Sequence, residues 1–133
     1  MTPLFKKLNL GSHAVIHVLE APDAFETELA ALSGVQIHRR LDAGGRPDFV
    51  LAFAMRQNEL DRLSAAIAGA TEGDSIVWIA YPKQSSKNYV CEFNRDSGWT
   101  VLREAGFDTV RQVAIDADWS ALRFRRVAFI KTK

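Results

Sequence analysis

A short stretch of cations and hydroxyls follows the most apolar segment of the chain. The segment from Ser75 to Tyr81 is uninterrupted by charge, Pro82 ends it, and Lys83-Gln84-Ser85-Ser86-Lys87 comes next. Ammonium groups, hydroxyls and loop N–H groups are donors that bind anions. If the apolar segment is a buried strand, this loop lies just past its carboxyl end, where open α/β sheets bind ligands. We therefore predict that the loop binds a small anionic ligand through Lys83, Ser85, Ser86 and Lys87.

Other basic residues extend this prediction. Arg39 and Arg40 follow a short predicted strand, whereas Arg123 and Arg125 alternate with apolar residues near the end of the chain. Alternating residues share one face of a strand, so Arg123 supports the anion site if the last strand lies beside the apolar segment. Two alternatives remain open. These arginines lie on an exposed face or pair with carboxylates, and the loop at 83–87 is an ordinary solvated turn.

The remaining reactive side chains are not arranged for catalysis. His13, His17 and His38 have no metal-ligand spacing relative to cysteine or carboxylates, and Cys91 has no histidine close to it in sequence. We therefore predict no metal site and no catalytic residue. A single cysteine also excludes an intrachain disulfide, and this usage is typical of a reducing compartment.

Composition and charge limit the class of protein. The 133 residues are 47% hydrophobic and 25% charged, which is typical of one globular domain spanning residues 1–133. A net charge of +1 does not favour nucleic acid or an anionic membrane as a partner. No apolar run is long enough for a signal peptide or a membrane span. We expect a cytoplasmic domain, monomeric or homodimeric, without a nucleic-acid or membrane partner.

Strands and helices alternate along the chain and would position the cationic loop. Apolar runs predict strands at 14–19, 35–38, 48–55, 75–81, 107–115 and 119–130. Capping residues and helical spacing predict helices beginning near Asp23, Asn58 and Asn94, and Gly44-Gly45 lies in a predicted loop. The short turn between the last two strands forces them antiparallel. The sequence thus predicts a three-layer Rossmann-like α/β sandwich, with a mostly parallel sheet of about six strands and a switch point between the first and third strands.

This arrangement resembles the class I methyltransferase fold, which also ends in an antiparallel hairpin. The segment from Gly11 to Leu19 is similar to the family's first strand, and Asp48 to Phe53 is similar to its Asp-Leu-Val strand. The segment from Leu102 to Phe107 is similar to the one that precedes the family's hairpin. The resemblance implies S-adenosylmethionine as the cofactor and puts Glu20 at the acidic position that contacts it.

Two departures from the family's pattern weigh against that cofactor. Methyltransferases need glycines in the first loop so that the backbone can approach the cofactor, but the segment from Glu20 to Phe25 has none, and Pro22 removes an N–H. The family also has an acidic residue at the end of its second strand, where this chain has His38-Arg39-Arg40. From the sequence we therefore do not expect S-adenosylmethionine to be the cofactor, and the cofactor stays unknown.

A closer resemblance is to a small bacterial family of unknown function with a shortened version of this fold. It is carried by Tyr81-Pro82-Lys83, by Ser85-Ser86-Lys87 and by Ile115-Asp116 with Trp119-Ser120 and Arg123-Phe124. We predict a non-catalytic domain that binds a small anionic ligand at the carboxyl edge of the sheet. The alternatives are a methyltransferase that keeps Glu20 as its cofactor contact, and a protein-interaction or regulatory module that uses a sheet edge or the terminal hairpin.

Overall fold

The computed structural model describes residues 2–42 and 46–130, so the predicted loop at Gly44-Gly45 lies outside the described residues. The helices are α1 (Pro3–Lys7), α2 (Glu26–Ala30), α3 (Gln57–Ala70) and α4 (Thr100–Glu104). The strands are β1 (Val15–Leu19), β2 (Gln36–His38), β3 (Phe49–Phe53), β4 (Ile76–Pro82), β5 (Phe107–Ala114) and β6 (Trp119–Arg126). Short 3-10 turns occupy Asp23–Phe25 and Val127–Phe129.

The six strands form one sheet in the order β2-β1-β3-β4-β6-β5. Strand β1 pairs in parallel with both β2 and β3, and β4 pairs in parallel with β3. Strand β6 runs antiparallel to β4 and to β5. The chain moves from β1 to β2 on one side and then crosses to β3 on the other. This confirms the predicted mostly parallel sheet, its C-terminal hairpin and the switch point between β1 and β3.

The middle of the sheet is covered on both faces. Every residue of β3 is buried, as expected when a central parallel strand has helices above and below it. One face packs against α3 and α4, whose buried residues include Leu60, Ile67 and Leu102. The other face packs against α1 and α2 through residues such as Phe5 and Leu29. These two cores give the three layers predicted from the sequence.

The three tryptophans belong to the core. Trp78, Trp99 and Trp119 are each 5% exposed or less. The indole N–H of Trp78 donates a hydrogen bond to the carbonyl of Leu8 over 2.9 Å. This contact ties the turn after α1 to the sheet.

The predicted helix from Asn94 is wrong in its first half. The side-chain oxygen of Asn94 accepts from the N–H of Asp96 over 2.8 Å, and the backbones of Asn94 and Ser97 form an isolated bridge. Gly98 then has φ +101°, in the left-handed region that ends this turn. Asn94 therefore caps a tight turn, and α4 begins only at Thr100.

The two other predicted helix starts also differ from the structure. The segment at Asp23 begins as a 3-10 turn, with no side-chain capping bond to Glu26. Helix α3 begins at Gln57, because the carboxylate of Glu59 accepts from the N–H of Arg56 over 2.9 Å and makes Arg56 the N-cap, two residues before Asn58.

Candidate functional site

The carboxyl ends of three neighbouring parallel strands define one edge of the sheet. Strands β1, β3 and β4 end at Leu19, Phe53 and Pro82, and the loops that follow them meet at this edge. The switch point lies between β1 and β3, where the connections leave in opposite directions. Open α/β sheets bind ligands in such a crevice.

Glu20 stands at the end of β1 in a conformation that L-residues rarely adopt. Its φ is +60°, in the left-handed region, and its side chain is exposed. Its carboxylate makes no ion pair within residues 2–42 and 46–130. Strained residues of this kind concentrate at ligand sites, because the surrounding structure must hold them there. Strand β1 is therefore followed by a carboxylate without an ion pair in the described residues, in a left-handed conformation that glycine usually adopts.

The basic end of β2 is neutralised by an acid from α2. Both guanidinium NH₂ groups of Arg39 donate to the carboxylate of Glu26, over 2.7 and 2.8 Å. These hydrogen bonds hold the pKa of the Glu26 carboxyl below its usual value. The carboxylate of Glu26 therefore lies at the end of β2, although the sequence there reads His38-Arg39-Arg40.

The loop after β4 is held by hydrogen bonds to the β5–β6 turn. The N–H of Lys83 donates to the carbonyl of Asp118 over 2.7 Å. The hydroxyl of Ser86 donates to the carboxylate of the same aspartate over 2.8 Å and accepts from the N–H of Tyr89 over 3.2 Å. Ser86 thus fixes the loop to its neighbour.

The far end of this loop is fixed to α3. The carboxylate of Glu92 accepts from the N–H of Gln57 over 2.8 Å, and the Gln57 side chain donates to the carbonyl of Gly98 over 2.8 Å. The N–H of Glu92 in turn donates to the carbonyl of Met55 over 2.9 Å. The segment from Lys83 to Gly98 is therefore anchored at both ends above the sheet.

A cavity of about 460 Å³ lies beneath this segment. Lys83 and Arg95 bring two cations to its lining, together with the carboxylate of Asp96. Its floor is the sheet itself, where Tyr81 pairs directly with Ser120 across β4 and β6. Burial raises the pKa of the Tyr81 phenol, which keeps it protonated. The rest of the lining is Pro82, Gln84, Ser85, Asn94 and Gln112.

The structure separates the residues that we predicted to form one site. Lys83 and Ser85 line the cavity, whereas Ser86 is used to hold the loop. Lys87 is exposed and is not among the lining residues of this cavity. Glu20 lies at the end of β1, two strands away from β4. The predicted single cluster is therefore two groups on the same edge of the sheet.

Arg123 does not join the predicted cluster. The last strand does lie beside β4, but the register puts Arg123 opposite Trp78, toward the start of β4. There it lines a separate cavity of about 370 Å³ together with Asp74 and Glu72. Burial and the nearby charge of Arg125 lower the pKa of the Arg123 guanidinium. Adjacency of the last strand to β4 was only the condition attached to our prediction for Arg123, and the register was not predicted.

Sequence reasoning missed several residues of the cavity, among them Arg95, Gln112 and Ser120. Arg95 was assigned to a helix, and Gln112 and Ser120 were assigned to the terminal hairpin without a role in the site. Ser120 reaches the cavity because the antiparallel pairing of β4 and β6 places it opposite Tyr81. The register of that pairing cannot be read from the two sequence segments separately.

Cysteine and histidine chemistry gains no support. No group of three or more metal-ligating side chains occurs within residues 2–42 and 46–130. Burial raises the pKa of the Cys91 thiol, which disfavours the reactive thiolate. As for membranes, each helix in the described part of the chain is too short or too polar to cross one.

Comparison with solved structures identifies the fold. The chain is similar to a SAM-dependent methyltransferase from Aquifex aeolicus, with a TM-score of 0.60 and 12% identity over 93% of this chain and 88% of the other. It is similar to magnesium protoporphyrin IX methyltransferase from Synechocystis with bound SAM, with a TM-score of 0.56 and 12% identity over 92% and 74% of the two chains. No protein-family model and no curated protein matches.

A third solved structure, the N-methyltransferase NodS from Bradyrhizobium japonicum, has a TM-score of 0.54 and 14% identity over 92% of each chain. At such identities the likeness shows a methyltransferase-like α/β fold. It corrects our prediction that S-adenosylmethionine is not the cofactor, since solved structures of this fold hold it. The physical reason lies in two residues. Glu20 takes up the left-handed backbone without glycine, and Glu26 neutralises the basic end of β2.

Proposed function

We propose that this protein is an S-adenosylmethionine-dependent methyltransferase that binds its cofactor at the switch point between β1 and β3. The observation that carries the proposal is Glu20, an exposed carboxylate in the left-handed region at the end of β1. The fold shared with methyltransferases supports the proposal. Our first interpretation, a non-catalytic domain, gains no support from those likenesses. The interaction-module alternative and the prediction of a monomer or homodimer stay predictions.

The residues at this edge fit the polar parts of the cofactor. Glu20 accepts hydrogen bonds from an amine or from hydroxyls. Glu26 lies at the end of the neighbouring strand, and each of its oxygens keeps acceptor capacity beyond its bond to Arg39. The small side chains of Ala21 and Ala24 limit steric obstruction in a loop without glycine.

When bound, S-adenosylmethionine would supply an electrophilic methyl group for transfer to a nucleophilic acceptor, and Glu20 and Glu26 would hold its polar parts. A cofactor at the end of β1 would lie two strand spacings from the residues at the end of β4, on the same edge of the sheet. Holding both reactants at this edge would fix their relative orientation. Phe53 is 3% exposed and forms an apolar end to β3 between the two groups of polar residues.

Calorimetric titration with S-adenosylhomocysteine and S-adenosylmethionine tests the proposal. We expect both ligands to bind the wild-type chain. At a ligand concentration 100 times the Kd, binding should raise the free energy of unfolding by about 2.7 kcal/mol and raise the melting temperature accordingly. Glu20→Gln should weaken binding about tenfold, since it removes a charged acceptor. Glu104→Gln removes a carboxylate from the exposed end of α4 and is the matched control.

Absence of binding to the wild-type chain at millimolar ligand would overturn the proposed function. Equal weakening by Glu20→Gln and Glu104→Gln would remove Glu20 from the site. Glu26→Gln extends the test to the end of β2, where a loss of affinity similar to that of Glu20→Gln is expected. Transfer of a labelled methyl group then requires an acceptor molecule.

A further inference from the structure

Two cations of the carboxyl-edge cavity form no ion pair in the part of the chain that the structure describes. Neither Lys83 nor Arg95 forms an ion pair with any residue in 2–42 or 46–130. Five other arginines do pair with carboxylates, namely Arg39, Arg40, Arg46, Arg103 and Arg125. With Asp96 as the one carboxylate in the lining, the cavity carries an excess of positive charge.

The floor of the same cavity holds a hydroxyl that is open to the cavity. Ser120 is 5% exposed, and its hydroxyl makes no hydrogen bond to the described residues. Its oxygen keeps some accessible surface in the cavity lining. Beside it, the side-chain amide of Gln112 lies 3.4 Å from the phenol oxygen of Tyr81 and donates to it. A hydroxyl both donates and accepts hydrogen bonds, so Ser120 is available to a polar group that enters the cavity.

The size of the cavity and its walls limit what can enter. A volume of about 460 Å³ lies within the range of sites for small molecules. The ring of Tyr81 and the pyrrolidine of Pro82 give it an apolar wall beside the cations. A small organic molecule with one anionic group matches this lining, since charge-assisted bonds to Lys83 and Arg95 would offset the loss of its hydration.

The segment from Glu92 to Gly98 forms the roof of the cavity, and both of its ends are held by hydrogen bonds. The carbonyl of Gly98 is held by Gln57, and the N–H of Glu92 is held by the carbonyl of Met55. Arg95 lies between these anchors, so its backbone is held in place, whereas its exposed side chain becomes ordered only on binding.

We infer that this cavity binds a small molecule with a carboxylate or phosphate group, which Lys83 and Arg95 hold while Ser120 and Tyr81 contact its polar atoms. Two strand spacings, about 10 Å, separate the end of β4 from the end of β1. The molecule is therefore placed to be the methyl acceptor. That role rests on the proposed function, whereas anion binding does not.

Nuclear magnetic resonance of the ¹⁵N-labelled full-length chain tests the inference, with phenyl phosphate and benzoate as probes. We expect either probe to shift the amide signals of Arg95, Gln112 and Ser120. Benzyl alcohol, which has the ring but no charge, should leave them in place. Whichever probe binds more tightly identifies phosphate or carboxylate as the preferred group.

Lys83→Gln and Arg95→Gln should each weaken the better probe about tenfold. Lys87→Gln removes the same charge from the same loop but outside the cavity lining, and is the matched control with at most a twofold effect. Amide spectra of the three variants without ligand check that the fold is retained. Equal weakening by all three variants, equal binding of benzyl alcohol, or no shift with either anion would each overturn the inference.

A parallel titration with S-adenosylhomocysteine separates this inference from the proposed function. Binding of the cofactor product without binding of either anion refutes the anion site and leaves the proposed function standing. Binding of an anion without binding of S-adenosylhomocysteine supports the anion site and refutes the acceptor role together with the methyltransferase proposal.

Discussion

Most charged residues at the amino edge of the sheet are paired within the protein, whereas at the carboxyl edge several charged residues near the ends of β1 and β4 form no ion pair in the described residues, although Arg39 and Glu26 pair at the end of β2. At the amino edge, where β4 begins, the guanidinium of Arg125 donates to both carboxylate oxygens of Asp74 over 2.7 and 2.6 Å. At the carboxyl edge, Lys83, Arg95 and Glu20 lack ion pairs within the part of the chain that the structure describes. Charges matched within the protein stabilise its fold, whereas unmatched charges remain available to a ligand.

Arg126 extends this pattern at the amino edge. Its guanidinium donates to the carbonyls of Thr71 over 2.8 Å and of Gly73 over 3.0 Å, and it lies 4.6 Å from the centre of the Phe107 ring. Arg123 forms no ion pair in the described residues, but the cavity that it lines contains three carboxylates, from Asp48, Glu72 and Asp74. Both edges have cavities, and the balance of charge distinguishes them.

The largest effect is expected where the roof of the carboxyl-edge cavity is attached. Gly98 has φ +101°, and a Cβ placed there would lie 2.6 Å from the Cβ of Phe93 and 2.8 Å from Oε1 of Gln57. Gly98→Ala should therefore lower the free energy of unfolding by about 3 kcal/mol, through strain and overpacking together.

Chemical denaturation measures this change. Gly69→Ala is the control, because Gly69 lies in α3 with open space around it, and alanine there should stabilise the chain by about 0.5–1 kcal/mol. If Gly98→Ala left stability unaltered, the segment that covers the cavity would be able to shift to make room for the methyl group. The cavity would then not be a preformed site.

At the amino edge, Arg126→Gln should lower the free energy of unfolding by about 2 kcal/mol. The carbonyls of Ala68 and Thr71 are at the end of α3, and Arg126 supplies charged donors to both. Arg111→Gln removes an exposed arginine from β5 and should change stability by no more than about 0.5 kcal/mol. Equal effects of the two variants on the thermal midpoint would mean that the amino-edge contacts do not stabilise the fold.

Ser85 and Ser86 are adjacent at the carboxyl edge, but we expect their hydroxyls to differ in their contribution to stability. Ser86→Ala removes a hydroxyl that bonds Asp118 and the N–H of Tyr89, so we expect a loss of about 1–1.5 kcal/mol. Ser85 is exposed and lines the cavity, so Ser85→Ala should leave stability within about 0.5 kcal/mol of wild type. A silent Ser86→Ala that nevertheless abolished phenyl phosphate binding would restore our sequence-based role for Ser86 as a ligand contact.

The architecture could be predicted from the sequence because it follows from local patterns. The segment from Ser75 to Tyr81 is apolar throughout, and only a strand covered on both faces suits such a run in a chain of alternating elements. The short connection at Asp116-Ala117-Asp118 likewise leaves the last two strands no arrangement but antiparallel. Extension of the single-domain assignment to residues 1–133 stays a prediction.

The site was only half predictable, since its members are joined by tertiary contacts. Lys83 and Ser85 follow β4 directly and were found for that reason. Arg95 reaches the cavity because Asn94 forms a tight turn. Asparagine favours both tight turns and helix N-caps, so the sequence does not decide between them. Glu26 reaches the end of β2 through a pair with Arg39, which no local pattern indicates.

The smallest expected effect is the pH dependence of the Asp74–Arg125 pair. Hydrogen bonding to Arg125 holds the pKa of the Asp74 carboxyl below its usual value, so the folded state releases this proton more readily than the unfolded state. The pair therefore stabilises the fold above the unfolded-state pKa of about 3.9 and loses that contribution as the pH falls through the lower folded-state pKa. Because both side chains are about one-third exposed, solvent screening limits the contribution to less than about 1 kcal/mol.

Urea denaturation between pH 7 and pH 2 measures this dependence. Asp74→Asn and Arg125→Gln should be less stable than wild type at neutral pH and should converge with it in acid, because protonation of Asp74 removes the same interaction. Their double mutant should lose no more than either single variant. A difference from wild type that stayed constant down to pH 2 would show that packing, rather than charge, accounts for the role of these residues. The contrast between the matched amino edge and the unmatched carboxyl edge would then rest on Arg126 alone.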